Sequence, residues 1–128
     1  MKTVSKNTIL DYLKKIKEEL HNKYGIKTLG LYGSYARDEA NSKSDIDIFY
    51  ERDSSFELES GLAFLSISEK LAKDLNVSKV DFVSLSFMNP VIKYYAKKDF
   101  IYVWFKELNI YFNHVGVYRK NLDLYFRI

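Results

Sequence analysis

Cysteine is absent from the 128 residues, which excludes disulfides, thiolate metal sites and cysteine nucleophiles together, so any metal must be held by oxygen or imidazole. Histidine is scarce, with two residues. His21 lies among polar residues near the end of a helical stretch and reads as a solvated histidine; His114 has no second ligand at metal spacing and reads as packed or solvent-exposed. No segment approaches the ~18 unbroken apolar residues of a membrane span. The N-terminal stretch MKTVSKNTILDYLKKIKEEL breaks its apolar residues with charges at helical spacing, unlike a signal peptide, so the cytoplasm is the expected location. Long Lys/Arg runs are missing, and a net charge of +3 is too small to argue for a duplex-gripping surface, so nucleic acid is not expected as a direct partner. Internal repeats, low-complexity tracts and linkers are also lacking.

What is present is a globular composition, 47% hydrophobic and 29% charged. A chain of this size is most simply one domain able to bury roughly two thirds of its unfolded surface. Ile9, Leu13, Ile16, Leu20 and Tyr24 recur at three- and four-residue spacing, and Gly25 follows where a C-cap belongs, so residues 6–24 are expected to form an amphipathic helix. IKTLGLY (26–32) and DIDIFY (45–50) read as strands joined by a turn of helix or irregular backbone. Leu58, Leu62, Leu65, Ala72 and Leu75 predict a helix over 57–75, and KVDFVSL (79–85) a third strand. The single proline, Pro90, opens a short helix ending near Lys97 and Lys98, ahead of a fourth strand at 100–104. The tail after Trp104 places Leu108, Tyr111, Val115, Tyr118, Leu122 and Tyr125 at helical spacing. Residues 1–104 are thus one domain and 105–128 an aromatic, helical extension of it. The expected class is α/β in the α+β sense, a small mixed sheet of about four strands packed by helices.

Acid is concentrated in one place. Residues 31–60 hold eight Asp/Glu against three Lys/Arg, whereas residues 1–30 hold three acids against seven lysines and residues 61–128 six acids against ten Lys/Arg. Crowded like charges cost free energy unless solvent, a basic partner or a cation offsets them. Within this third, Gly33-Ser34 closes the first strand, and glycine lets backbone amides approach a phosphate while serine adds a hydroxyl; a helix N-terminus just beyond would add N–H dipoles. Asp45 and Asp47 fall on one face of the second strand, about 7 Å apart, and offer hard oxygen ligands suited to one or two Mg²⁺ ions. Asp81 is a lone acid in an apolar third strand, expensive to bury without a cation or hydrogen bonds. The plain alternatives are a solvated strand end for the aspartate pair and an exposed face for Asp81. Arg37 could simply pair with Asp38 or Glu39.

GSYARDEANSKSDID, with Asp81 downstream in KVDFVSL, resembles the signature of the DNA polymerase β-like nucleotidyltransferase superfamily, and in its Gly-Ser-Tyr-Ala-Arg run and short length the minimal MNT branch. The resemblance covers roughly residues 6–103. It implies that Gly33 and Ser34 hold a triphosphate and that Arg37 neutralises phosphate or positions the turn. Asp45, Asp47 and Asp81 would ligate Mg²⁺, two ions in all, with Asp81 helping to deprotonate the acceptor hydroxyl. One departure is Asp38, where the family reads glycine; if the position needs a positive φ, aspartate tolerates it less well.

MNT proteins pair with HEPN ribonuclease toxins as antitoxins. The activity the resemblance implies is transfer of AMP from ATP onto a hydroxyl, tyrosine first, of a cognate HEPN toxin. Neither histidine carries the Arg/His spacing of the toxin half. Two other readings stay open: nucleotidyl transfer to a small aminoglycoside-like antibiotic, and an antitoxin that neutralises by binding alone. The tail aromatics are candidates for a partner surface, and a homodimer is one use of them.

Overall fold

A serine placed just ahead of the first apolar stripe starts the first helix. In the computed structural model, which describes residues 4–53, 66–103 and 125–127, Ser5 is extended and its hydroxyl accepts the Thr8 N–H at 3.0 Å, a cap worth about 1 kcal/mol. Helix α1 runs Lys6–Tyr24 and ends where Gly25 turns left-handed at φ 71°, its N–H returning to His21 and Leu20 carbonyls. Then come β1 (Ile26–Tyr32), β2 (Ile46–Arg52), α2 (Ile67–Leu75), β3 (Val80–Ser84), α3 (Pro90–Ala96), β4 (Ile101–Val103) and β5 (Tyr125–Arg127). Single 3-10 turns at Leu85–Phe87 and Lys97–Asp99 flank α3.

The strands form one mixed sheet in the order β3-β2-β1-β4-β5, in which β2 and β3 are parallel and every other pair is antiparallel. The α+β class expected from the sequence is therefore correct. The first half of the expected 57–75 helix lies outside the described residues, as does most of the 105–128 tail. Where the tail is described, Tyr125–Arg127 is a strand and not helix. It pairs with the free edge of β4, where the unpaired peptide groups of an edge strand offer ladder bonds.

Strand alternation gives the sheet two different faces. Leu29, Leu31, Ile46, Ile48, Val80, Ile101 and Val103 point to one side and bury against Ile9, Leu10 and Leu13 of α1 and Ile67 and Leu71 of α2. A register shift between Ile26 and Thr28 brings Ile26 into the same core while Lys27 stays exposed. The other face is aromatic. Phe49 stacks on Phe100 at 4.3 Å, meets the edge of Tyr102 at 5.1 Å, and packs with Leu85 and Met88. Gly30 is its cross-strand partner, and any Cβ there would run into the Phe49 ring and the Ile101 carbonyl. Glycine is needed at this position for space.

The Phe49 ring is fully buried, so Phe49→Ala is expected to lower the unfolding free energy by about 3–5 kcal/mol, measured by urea denaturation.

Candidate active site

The acidic face is the aromatic one. Asp47 and Phe49 point away from the two longer helices because they alternate with Ile46 and Ile48, which the helices bury. The parallel register sets Asp81 of β3 directly beside Asp47 of β2. Tyr32, the last residue of β1, is Asp47's partner on the opposite edge. Asp45 lies just before β2, two residues from Asp47 and so on the same side.

Burial, then the Asp81 and Asp45 charges and a hydrogen bond with Asp81, push the Asp47 carboxyl up to about 6. The same acids act on Tyr32, whose phenol is pushed up to about 12, first by burial and then by Asp47 and Asp81. A half-buried carboxyl whose proton affinity is raised by burial and by neighbouring acids has the electrostatics of a functional centre.

Gly33 turns left-handed at φ 78°, and a Cβ on it would collide with the Asp47 carboxylate. Both the backbone angle and the close approach demand glycine here. Ser34 follows, half-buried, its carbonyl accepting the Glu39 N–H at 2.9 Å. The helix N-terminus expected beyond Ser34 is instead a short run of hydrogen-bonded turns, with Arg37 N–H donating to the Gly33 carbonyl at 3.1 Å. Asp38 stops it, because its φ of 60° leaves the right-handed helical region. The position where the family reads glycine does require a positive φ, and the Asp38 carboxylate accepts the Lys6 ammonium at 2.8 Å.

Arg37 makes one ion pair anticipated from sequence and one not. Its Nε donates to Glu39 at 2.8 Å, and its Nη1 donates to Asp99, 62 residues away, at 2.9 Å. The Asp99 carboxylate is 10% exposed, so this pair ties the turn to the segment after α3. Nothing in the local sequence links Asp99 to Arg37. Lys79 was also missed. Its ammonium lies 3.8 Å from Asp45 and 3.4 Å from Asp81, and its position two residues before Asp81 was a readable signal, since alternation puts both on one side of the strand.

A divalent ion fits these donors. Among the described residues no three His, Asp or Glu side chains converge on one point, but Mg²⁺ is commonly held by one or two carboxylates together with substrate phosphates and water. The adjacent Asp47 and Asp81, with the Lys79 ammonium already drawn between Asp45 and Asp81, form a donor set that attracts a cation. Asp45, Asp47 and Asp81 are the residues that would hold it.

A nucleotidyltransferase domain model matches residues 13–111. A Methanocaldococcus jannaschii protein provisionally named a protein adenylyltransferase is 41% identical over 104 residues, 80% of this chain and all of that one. Protein adenylyltransferase MntA of Thermococcus cleftensis is 33% identical over 87 residues, 68% of this chain and 84% of that protein. Among solved structures, a complex of a tri-AMPylated Shewanella oneidensis HEPN toxin with its MNT antitoxin contains a chain that aligns with a TM-score of 0.56 at 18% identity, over 88% of this chain and 85% of that one. A toxin-antitoxin structure with AMP-PNP aligns at 0.54 and 21% identity, over 89% and 85% of the two chains. At these identities the structural matches speak for the fold.

Two outcomes are expected from this geometry. The Asp47 carboxyl is raised above its unfolded value, so its contribution to stability is complete below about pH 4 and is lost as pH rises through about 6. In metal-free buffer Asp47→Asn should lack that loss and melt higher than the parent at pH 7, as seen by calorimetry across pH 4–8. Asp38→Gly should change stability by no more than about 1 kcal/mol, because backbone relief opposes loss of an exposed ion pair. Asp38→Val should be destabilised by about 1–3 kcal/mol in the same measurement.

Proposed function

This chain belongs to the nucleotidyltransferase domain family, and from that premise we propose that it transfers AMP from ATP to a tyrosine hydroxyl of a cognate HEPN toxin, acting as its antitoxin. The observation that carries the reading is the Asp47–Asp81 pair set against a glycine that has no room for a side chain. The names of the adenylyltransferase relatives support AMP as the transferred group and a protein as acceptor. The toxin complexes among the structural neighbours support a HEPN partner, and the AMP-PNP complex supports ATP as donor.

In this reading the backbone amides after Gly33 and the Ser34 hydroxyl receive the triphosphate, and Arg37 holds the turn in place through Asp99 while lending positive charge. Asp45, Asp47 and Asp81 would hold Mg²⁺, which would supply charge neutralisation at phosphate and a lowered pKa at the attacking hydroxyl. Asp81 takes the acceptor proton as the tyrosine oxygen bonds to the α-phosphorus. The bond from that phosphorus to the bridging oxygen breaks, and pyrophosphate leaves. Lys79 lies where it can balance the acids before substrate arrives. Residues 1–104 would supply all of these groups, with 105–128 as an extension of the same domain. No helix among the described residues is long and apolar enough to cross a membrane, and we place the reaction in the cytoplasm.

The test is transfer of label from α-phosphate-labelled ATP and Mg²⁺ to a HEPN protein encoded beside this chain. Label should appear on the partner and fall at least about 100-fold, the range for lost transition-state charge stabilisation, in Asp45→Asn/Asp47→Asn. Protection of cells by that double variant without any labelling would replace the proposal with an antitoxin acting by binding alone. Label on an aminoglycoside without any protein partner would make the acceptor a small molecule.

A further inference from the structure

Helix α3 buries none of its residues, although four of its seven are Val91, Ile92, Tyr94 and Tyr95, each 57–68% exposed. Asn89 caps it, accepting the Val91 N–H at 2.8 Å, and Pro90 opens it, so local chemistry and not core packing holds the helix. Val91, Tyr94, Tyr95 and Lys98 stand three and four residues apart and form one stripe. The Tyr94 and Tyr95 rings meet edge to face at 5.2 Å. An exposed apolar stripe of this kind marks an interaction surface.

Two features indicate what covers it. The stripe is continuous with the active site: a cavity of 440 Å³ lies between α3 and the phosphate turn, lined on one side by Val91, Ile92 and Tyr95 and on the other by Gly33 and Arg37. A molecule seated on α3 therefore abuts the place where a triphosphate would lie. Charge supplies the second feature. From Leu85 to Lys98 there are three lysines and no acid, and Lys93, Lys97 and Lys98 make no ion pair among the described residues. Lysines without an acidic partner, one of them with its ammonium 5.9 Å from the Tyr94 ring centroid, suit an acidic surface with apolar anchors.

We propose that α3 is the docking surface for the protein acceptor, which meets it with an apolar patch rimmed by Asp and Glu and thereby brings its hydroxyl to the site. The inference rests on the reading of a protein acceptor. Tyr94 is the central anchor, and Lys93 and Lys97 steer the partner. None of the three lines the cavity shared with Gly33, so binding of ATP is separable from binding of the acceptor.

The test compares the parent with Tyr94→Ser and with Lys93→Glu/Lys97→Glu, using the HEPN protein encoded beside this chain as the probe. Kd for that protein, by calorimetry, and its KM in label transfer should both rise about tenfold or more. Kd for ATP should stay within about twofold, and Tm within about 2 °C, since exposed side chains carry little stability. Added salt should weaken the parent complex more than the lysine-reversed one. Unchanged acceptor affinity in both variants, or no binding of the HEPN protein by the parent, overturns the proposal. So does a Tm loss of several degrees, which would mean that the chain's own remainder covers α3, or a parent dimer that the variants dissociate, which would make the occupant a second copy. Patch-dependent binding without label transfer would sink the transferase reading and leave the docking surface standing.

Discussion

Two carboxylates that repel one another, held side by side because parallel strands leave them no other place, are the constraint around which this protein is arranged. The β2–β3 register puts Asp47 beside Asp81, and the closeness of the Gly33 backbone confines the Asp47 side chain on its other flank. Holding Asp47 charged there costs free energy, because burial first and the neighbouring acids second raise its pKa. The remainder of the sheet must supply the compensating stability. It does so on both faces, with the aliphatic layer under α1 and α2 and with the stack that Phe100 makes on Phe49, the next residue after Asp47 on the same face.

The division of labour between the faces explains why the site can be both strained and well placed. Alternation along β2 sends Ile46 and Ile48 into a core that cannot slip by one residue without exposing every apolar side chain. Asp47 is thereby fixed on the opposite face as firmly as its neighbours are fixed on theirs. Phe49, next along on that face, caps Gly30 and fills the space the glycine leaves. The Arg37–Asp99 pair closes the arrangement by joining the turn after β1 to the segment leading into β4, which carries α3 to the edge of the site.

Much of this was legible because it depends on spacing. Helix α1, its glycine C-cap, the strand faces and the acidic centre all follow from periods of 3.6 and 2 and from the residue that suits a helix end. The departure at Asp38 was legible as a φ requirement, and the backbone adopts a φ of 60° there. The helix expected after Ser34 was not formed, because that same φ ends the turn after one cycle. The aromatic tail at 125–127 read as helix by spacing, but the edge of β4 offers unpaired peptide groups that a strand can use.

By itself the sequence determined which residues could do chemistry: a glycine that lets backbone come close to other groups, aspartates two apart on a strand, and a third acid in an apolar run. These are properties of residue type and of neighbours within a few positions. Only the tertiary structure decided that Asp47 faces Asp81, that Lys79 reaches both Asp45 and Asp81, that Arg37 is held by Asp99, and that α3, exposed among the described residues, lies beside the turn after β1. Those contacts join positions as far apart as Asp47 and Asp81 across β2–β3 and, 62 residues apart, Arg37 and Asp99, and chain spacing carries no information about which distant partners a register will bring together.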